Sequence, residues 1–160
     1  MIGTSAVGKT SLVKQFVQGI FSEQYLTTIG VKIDKKAINI GDSGLELLIW
    51  DLNGEDRFQK LSMNYLRGMA GYLLVVDGTR KATMNHVLDL QQRIVEKYGS
   101  LPFILLLNKA DLVDQWDFSA EDLARLDQAG WSVIKTSAKS GTGVEEAFTS
   151  LGKQLIGLPV

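Results

Sequence analysis

Apolar residues fall in five short runs along the chain: VKIDKKAINI (31–40), LELLIWD (45–51), YLLVVD (72–77), FILLLN (103–108) and WSVIKTS (131–137). The last four are continuous, the pattern of strands buried on both faces of a sheet. The first two flank GDSG, a turn signal that predicts a hairpin. Helical spacing fills the intervals. KTSLVKQFVQG puts Leu12, Val13, Phe16 and Val17 on one face and Gly19 at the C-terminal cap. ATMNHVLDLQQRIVEKYG ends in the same way at Gly99. Ser119 followed by Asp122, and Thr142 followed by Glu145, have the spacing of capping boxes that open two further helices. Strand and helix alternate, which predicts a mainly parallel α/β sheet with helices on both faces.

Composition narrows the class without changing this outline. The 160 residues, 45% of them hydrophobic, suit one domain spanning 1–160 with a full core. Lys plus Arg number 17 and Asp plus Glu 18, so no basic excess points to nucleic acid or an anionic membrane surface. No apolar run is long enough to span a bilayer as a helix, and no signal-peptide pattern is present. Cysteine is absent, so within these residues there is no disulfide, thiolate metal site or lipidated thiol. This permits a reducing compartment, and we expect a cytoplasmic location. His86 is the single histidine and cannot alone build a metal site.

The strongest chemical signal is GTSAVGKTS, which begins at Gly3 and reads G-x-x-x-x-G-K-T. Gly3 and Gly8 permit backbone angles and a close approach that a Cβ would obstruct. The N–H groups of the loop, Ser5, Ala6, Val7 and Gly8, with Ser11 behind them, then form an anion nest at a helix N-terminus. Lys9 can reach the β- and γ-phosphates, and the Thr10 hydroxyl suits Mg²⁺, which prefers hard oxygen ligands. This loop alone separates neither ATP from GTP nor kinase from hydrolase.

Three later segments sharpen the reading. Asp51 ends the second run and can hold Mg²⁺ directly or through water, and Gly54, three residues on, can bring its N–H to a γ-phosphate. NKAD, Asn108 to Asp111, ends the fourth run. Guanine presents two parallel donors, N1–H and an amino group, and the Asp111 carboxylate is a double acceptor. Adenine offers no such pair and would leave the charge unmatched. Asn108 can tie the loops together, and the stem of Lys109 can lie across the base. In TSAK, Ser137 can fix Asp111, the Ala138 N–H can donate to guanine O6, and Lys139 closes the motif.

These four motifs, in this order, resemble the small GTPases of the Ras superfamily. TTIGVKI, WD and YLRGMAGYLLVVD look most like its Rab branch. The resemblance implies a G domain of the P-loop NTPase type, with a six-stranded sheet containing one antiparallel strand. It implies a switch that hydrolyses GTP to GDP with Mg²⁺ and binds effectors, exchange factors and activating proteins through two loops, switch I and switch II. It places Phe21 beside the guanine, Tyr25 over the phosphates, and Thr28 on Mg²⁺ and the γ-phosphate. The hydrolytic machinery is then Lys9, Thr28, Gly54 and position 55.

Position 55 departs from the family: Glu55 stands where Gln orients the attacking water. Glu keeps the reach but, while ionised, cannot donate to the γ-phosphate. Hydrolysis is expected to persist. Asn53 replaces a small residue, and Ile33 replaces one member of the aromatic trio that Trp50 and Tyr65 otherwise match. Ser5 can hinder an arginine finger from a partner, and Arg57 is read mainly as a solvated charge. Two alternatives follow: a GTP-binding scaffold or dimerisation module with little hydrolysis, and an ATP-using phosphoryl-transfer enzyme. A P-loop also hangs from a central strand, flanked here by LELLIWD and YLLVVD. Met1 and Ile2 are expected to be its last residues, with earlier ones existing in the native protein.

Overall fold

A computed structural model of the protein describes residues 1–23, 30–52 and 63–159. The described residues hold five strands and four α-helices in the order α1 (Lys9–Gln18), β1 (Val31–Ile40), β2 (Ser43–Leu52), β3 (Tyr72–Asp77), α2 (Ala82–Tyr98), β4 (Phe103–Asn108), α3 (Ala120–Gln128), β5 (Val133–Lys135) and α4 (Val144–Leu155). Strands β3, β4 and β5 form a parallel sheet in that order, and β1 and β2 form an antiparallel hairpin.

Met1 and Ile2 lie between these two units. The Ile2 N–H donates to Leu73 O at 2.9 Å, Val75 N–H donates to Ile2 O at 2.8 Å, and the Met1 amine donates to Trp50 O at 2.8 Å. The neighbouring strands are thus the two the sequence predicts, and the phosphate loop starts from between the hairpin and the parallel sheet.

The apolar runs of β3 and β4 send alternate side chains to opposite faces, as the strand period of two requires. Leu73, Val75, Ile104 and Leu106 join α1 and α4 in one core, where the rings of Phe16 and Phe148 stack at 3.8 Å. Leu74, Val76, Leu105 and Leu107 join Val87, Leu90 and Ile94 of α2 in the other, with Leu123 and Leu126 of α3 packed against it. Each fully buried Leu or Ile contributes roughly 1.5–3 kcal/mol, so the sheet is held from both sides.

Two expectations need correction. The second run is not buried on both faces. Along β2 exposure alternates, with Ile49 and Asp51 buried but Leu48 64% and Trp50 42% exposed. Its partner β1 is half-solvated as well, and no helix covers the outer face of the hairpin among the described residues. Thr142 does not cap α4 either. The N-cap is Gly143, at a φ of 67°, and a Cβ there would sit 2.2 Å from Lys135 O. The tight approach of the chain to β5 demands glycine and displaces the threonine, whose hydroxyl instead pairs with Ser140 Oγ at 2.8 Å. The other capping box forms as predicted: Ser119 Oγ accepts from the Asp122 N–H, and Asp122 Oδ2 accepts from the Ser119 N–H.

Candidate functional site

The predicted site residues converge at one edge of the sheet, where β2, β3 and β4 end and α1 begins. Ser5, Ala6, Val7 and Gly8 form the loop into α1, and Ser11 lies in the first turn of that helix. Gly8 has a φ of 98°, and a Cβ on it would stand 2.3 Å from Asn108 Nδ2. Only glycine therefore lets the phosphate loop close against the end of β4.

Lys9 is buried, and its ammonium donates to Gly3 O at 3.0 Å and Thr4 O at 2.8 Å. Burial pushes it down to about 8, against the opposing pull of the Asp51 carboxylate. Thr10 Oγ1 donates to Asp51 Oδ2 at 2.5 Å. The other oxygen, Asp51 Oδ1, is buried and has no hydrogen-bond partner among the described residues. An orphaned carboxylate oxygen beside a hydroxyl is costly unless something fills it.

Asn108 joins three segments. Its amide donates to Val7 O at 2.9 Å, and its carbonyl accepts from Thr136 Oγ1 and the Ala138 N–H, each at 3.3 Å. The Ala138 N–H thus points at Asn108. Ser137 Oγ donates to Asp111 Oδ1 at 2.6 Å, the pairing read from the sequence, and leaves the second carboxylate oxygen available. Lys139 reaches Glu23 at 3.2 Å and ties this loop to the segment after α1, where Phe21 is exposed. Tyr25, Thr28, Asn53, Gly54, Glu55 and Arg57 lie outside the described residues.

Lys109 shows what the sequence reading missed. Its Nζ is 2.7 Å from the buried Asp77 carboxylate, which also takes Arg80. The available signal was position: Asp77 closes the run YLLVVD just as Asp51 closes LELLIWD.

Comparison with known proteins gives this geometry its context. The Ras family model matches residues 1–157. The chain belongs to the Ras family. The Ras-related protein Rab-1 of Theileria annulata is 35% identical to it over 158 residues, covering 97% of this chain and 72% of that protein. The Ras-related protein Rab-4 of Dictyostelium discoideum is 35% identical over 150 residues, covering 92% and 73%. The Ras-related protein Rab-13 of Canis lupus familiaris is 32% identical over 158 residues, covering 98% and 78%. This chain is a Rab-like small GTPase, a GTP-binding and GTP-hydrolysing switch with the P-loop NTPase fold.

Proposed function

We propose that residues 1–160 form one G domain in which named side chains divide the work of binding and hydrolysis. The phosphate loop and Lys9 hold the β- and γ-phosphates, Asp111 reads the guanine edge, and Asn108 keeps those two regions in register. The observation that carries this reading is the Asn108 hub: one buried amide bonded to the phosphate loop on one side and to the Thr136–Ala138 segment on the other. A loop pair so joined responds as a unit to base and phosphate together. We read Met1 and Ile2 as strand residues between β2 and β3, because they bridge both.

Mg²⁺ fits the oxygen set. Asp51 and Thr10 supply hard ligands, Asp51 Oδ1 is orphaned, and Thr28 is the third candidate ligand. The metal would neutralise charge on the β- and γ-phosphates. The protein's own part is positioning: Lys9 supplies a fixed cation, and Thr28 and Gly54 anchor their two loops through the γ-phosphate. When that phosphate leaves, both anchors are lost and the loops are released. Glu55 accepts a hydrogen bond from the attacking water.

Regulatory and effector proteins belong to this family's mode of action. We place their contact on the switch loops and the solvated face of the hairpin. Ile33 and Trp50 are register partners there, with Leu48 on the same face and Tyr65 nearby in sequence. Three exposed large apolar side chains on one hairpin face, Ile33, Leu48 and Trp50, suit a protein interface. No helix among the described residues is long and apolar enough to cross a membrane. A cytoplasmic location is our reading.

The test exchanges the base edge. Asp111→Asn replaces a double acceptor with one acceptor and one donor, which matches the N1–H and C2 carbonyl of xanthine. GDP affinity should fall by about 100-fold or more while xanthosine diphosphate binds better. Unchanged GDP affinity would remove Asp111 from the base site.

A further inference from the structure

Asp77 is fully buried at the end of β3, in register with Asn108 on β4. Every contact of its carboxylate points toward the nucleotide loops or the turn beside them. Oδ2 accepts from Lys109 Nζ and from Arg80 Nε, each at 2.7 Å. Oδ1 accepts from the Thr79 N–H at 3.0 Å and from Thr79 Oγ1 at 2.7 Å. Burial alone would push this carboxyl up, but the hydrogen bonds from Lys109, Thr79 and Arg80 outweigh it and hold the pKa below the usual value.

The far ends of these contacts matter most. Lys109 precedes Ala110 and Asp111 in the base-reading loop. The second nitrogen group of Arg80 reaches back to the phosphate loop, where Nη2 donates to Ala6 O at 3.4 Å. Ala6 and Lys109 are the two non-glycine residues with positive φ among the described residues, at 62° and 69°. Such backbone angles persist only where surroundings over-determine them. Both positions are linked to one buried carboxylate, Lys109 directly and Ala6 through Arg80.

We propose that Asp77 is a positioning residue that sets how long guanine nucleotide stays bound, by fixing Lys109 over the base and, through Arg80, the phosphate loop. This rests on the placement of the nucleotide given above. Asp77 does not touch the nucleotide. It fixes the Lys109 ammonium at one point, so the four-carbon stem lies in one path beside the base instead of sampling many. A lysine that loses this anchor gains rotamer freedom, and each binding event must then order it again. The effect belongs in the dissociation rate, because an ordered loop holds the ligand after encounter.

The experiment measures release of a fluorescent GDP analogue from the Mg²⁺-loaded protein in a double-mutant cycle. Asp77→Asn keeps the shape and removes the charge, and Lys109→Met keeps the apolar stem and removes the ammonium. Each single variant should release about tenfold faster than wild type, and the double variant no faster than the faster single, because both act through one contact. A purely structural Asp77 gives additive effects, and that result overturns the proposal. If Asp77→Asn does not fold, Lys109→Met and the exposed Arg80→Gln carry the test. Release at the wild-type rate in both overturns it, and faster release in both supports it. Wild-type protein that binds no GDP overturns the underlying site assignment and this proposal with it. Wild-type protein that binds GDP, with unchanged variants, overturns this proposal alone.

Discussion

Lys9 is held in a place that disfavours its charge. Burial lowers it from 10.5 to about 8 in the protein without nucleotide. Bound phosphates favour the charged form and raise the value again, so binding takes up a proton above about pH 8. The favourable contribution is complete below that value and is lost as pH rises through the interval toward the bound-state pKa. GDP affinity should therefore fall by up to about tenfold per pH unit above the free-state value. Titration calorimetry in buffers of different ionisation heat reads the proton directly. A Lys9→Met variant that shows the same proton uptake would assign it elsewhere. The role proposed for Glu55 carries its own test. If Glu55 faces the γ-phosphate as we propose, Glu55→Gln adds a donor there and removes a repelling charge, and the single-turnover rate should rise about tenfold or more. An unchanged rate takes the side chain out of the reaction. At this scale the sequence was most readable where chemistry is specific: Asp111 as a double acceptor and Ser137 as its support follow from residue type alone, and the 2.6 Å bond between them is there. Asp77 was not readable, because one carboxylate at the end of an apolar run does not name its partners. Those partners are Lys109, 32 residues away in a neighbouring loop, and Thr79 and Arg80 in the turn just after β3.

Elements formed where local signals agreed. Helix α1 has its apolar stripe and its glycine stop, and α3 has a reciprocal capping box. Substituting Ser119→Ala removes that cap and should cost about 1 kcal/mol, read as a lower urea midpoint at unchanged slope. GDP affinity should not change, since α3 packs on the side of the sheet away from the phosphate loop. A Ser119→Ala protein with wild-type stability would show that the cap is replaced by water. Asp122 of the same box is held at about 2, chiefly by its hydrogen bond from Lys81 and then by Ser119. Its folded value lies below the ordinary 3.8, so its stabilising effect is present above that pH and fades as pH falls toward 2. Strand β2 and helix α4 show why other elements misled. Leu48 and Trp50 are apolar yet exposed, so LELLIWD reads as a two-faced strand although the described residues cover one face of it. Thr142 has the right spacing for a cap, but the 2.2 Å clash that any Cβ at position 143 would make with Lys135 O is a tertiary fact that no local pattern contains.

The described residues place two cores back to back on the β3–β4–β5 sheet and gather the chemistry where the strands end. Alternation of strand and helix was enough to foresee that layering, because each β3 and β4 residue must face one side or the other. It could not supply the way the loops tie together: Asn108 joins the phosphate loop to the segment after β5, and Thr10 joins α1 to β2. A ligand that spans these loops binds the folded chain and not the unfolded one, so it must raise stability by mass action. With GDP and Mg²⁺ at a thousand times the dissociation constant, the gain is about 4 kcal/mol, which for a domain of this size is a rise in melting temperature of about 8–16 °C. ADP at the same concentration should give little or none, because Asp111 then faces no matching donors. Asp111→Ala should lose most of the GDP effect while lowering the melting temperature of the nucleotide-free protein far less, since Asp111 is exposed and the buried Ser137 hydroxyl it bonds still accepts from the Ser140 N–H. Equal shifts with ADP and GDP would mean that phosphate contacts alone hold the ligand. In that case the Asn108 hub would be a structural joint with no part in selecting the base.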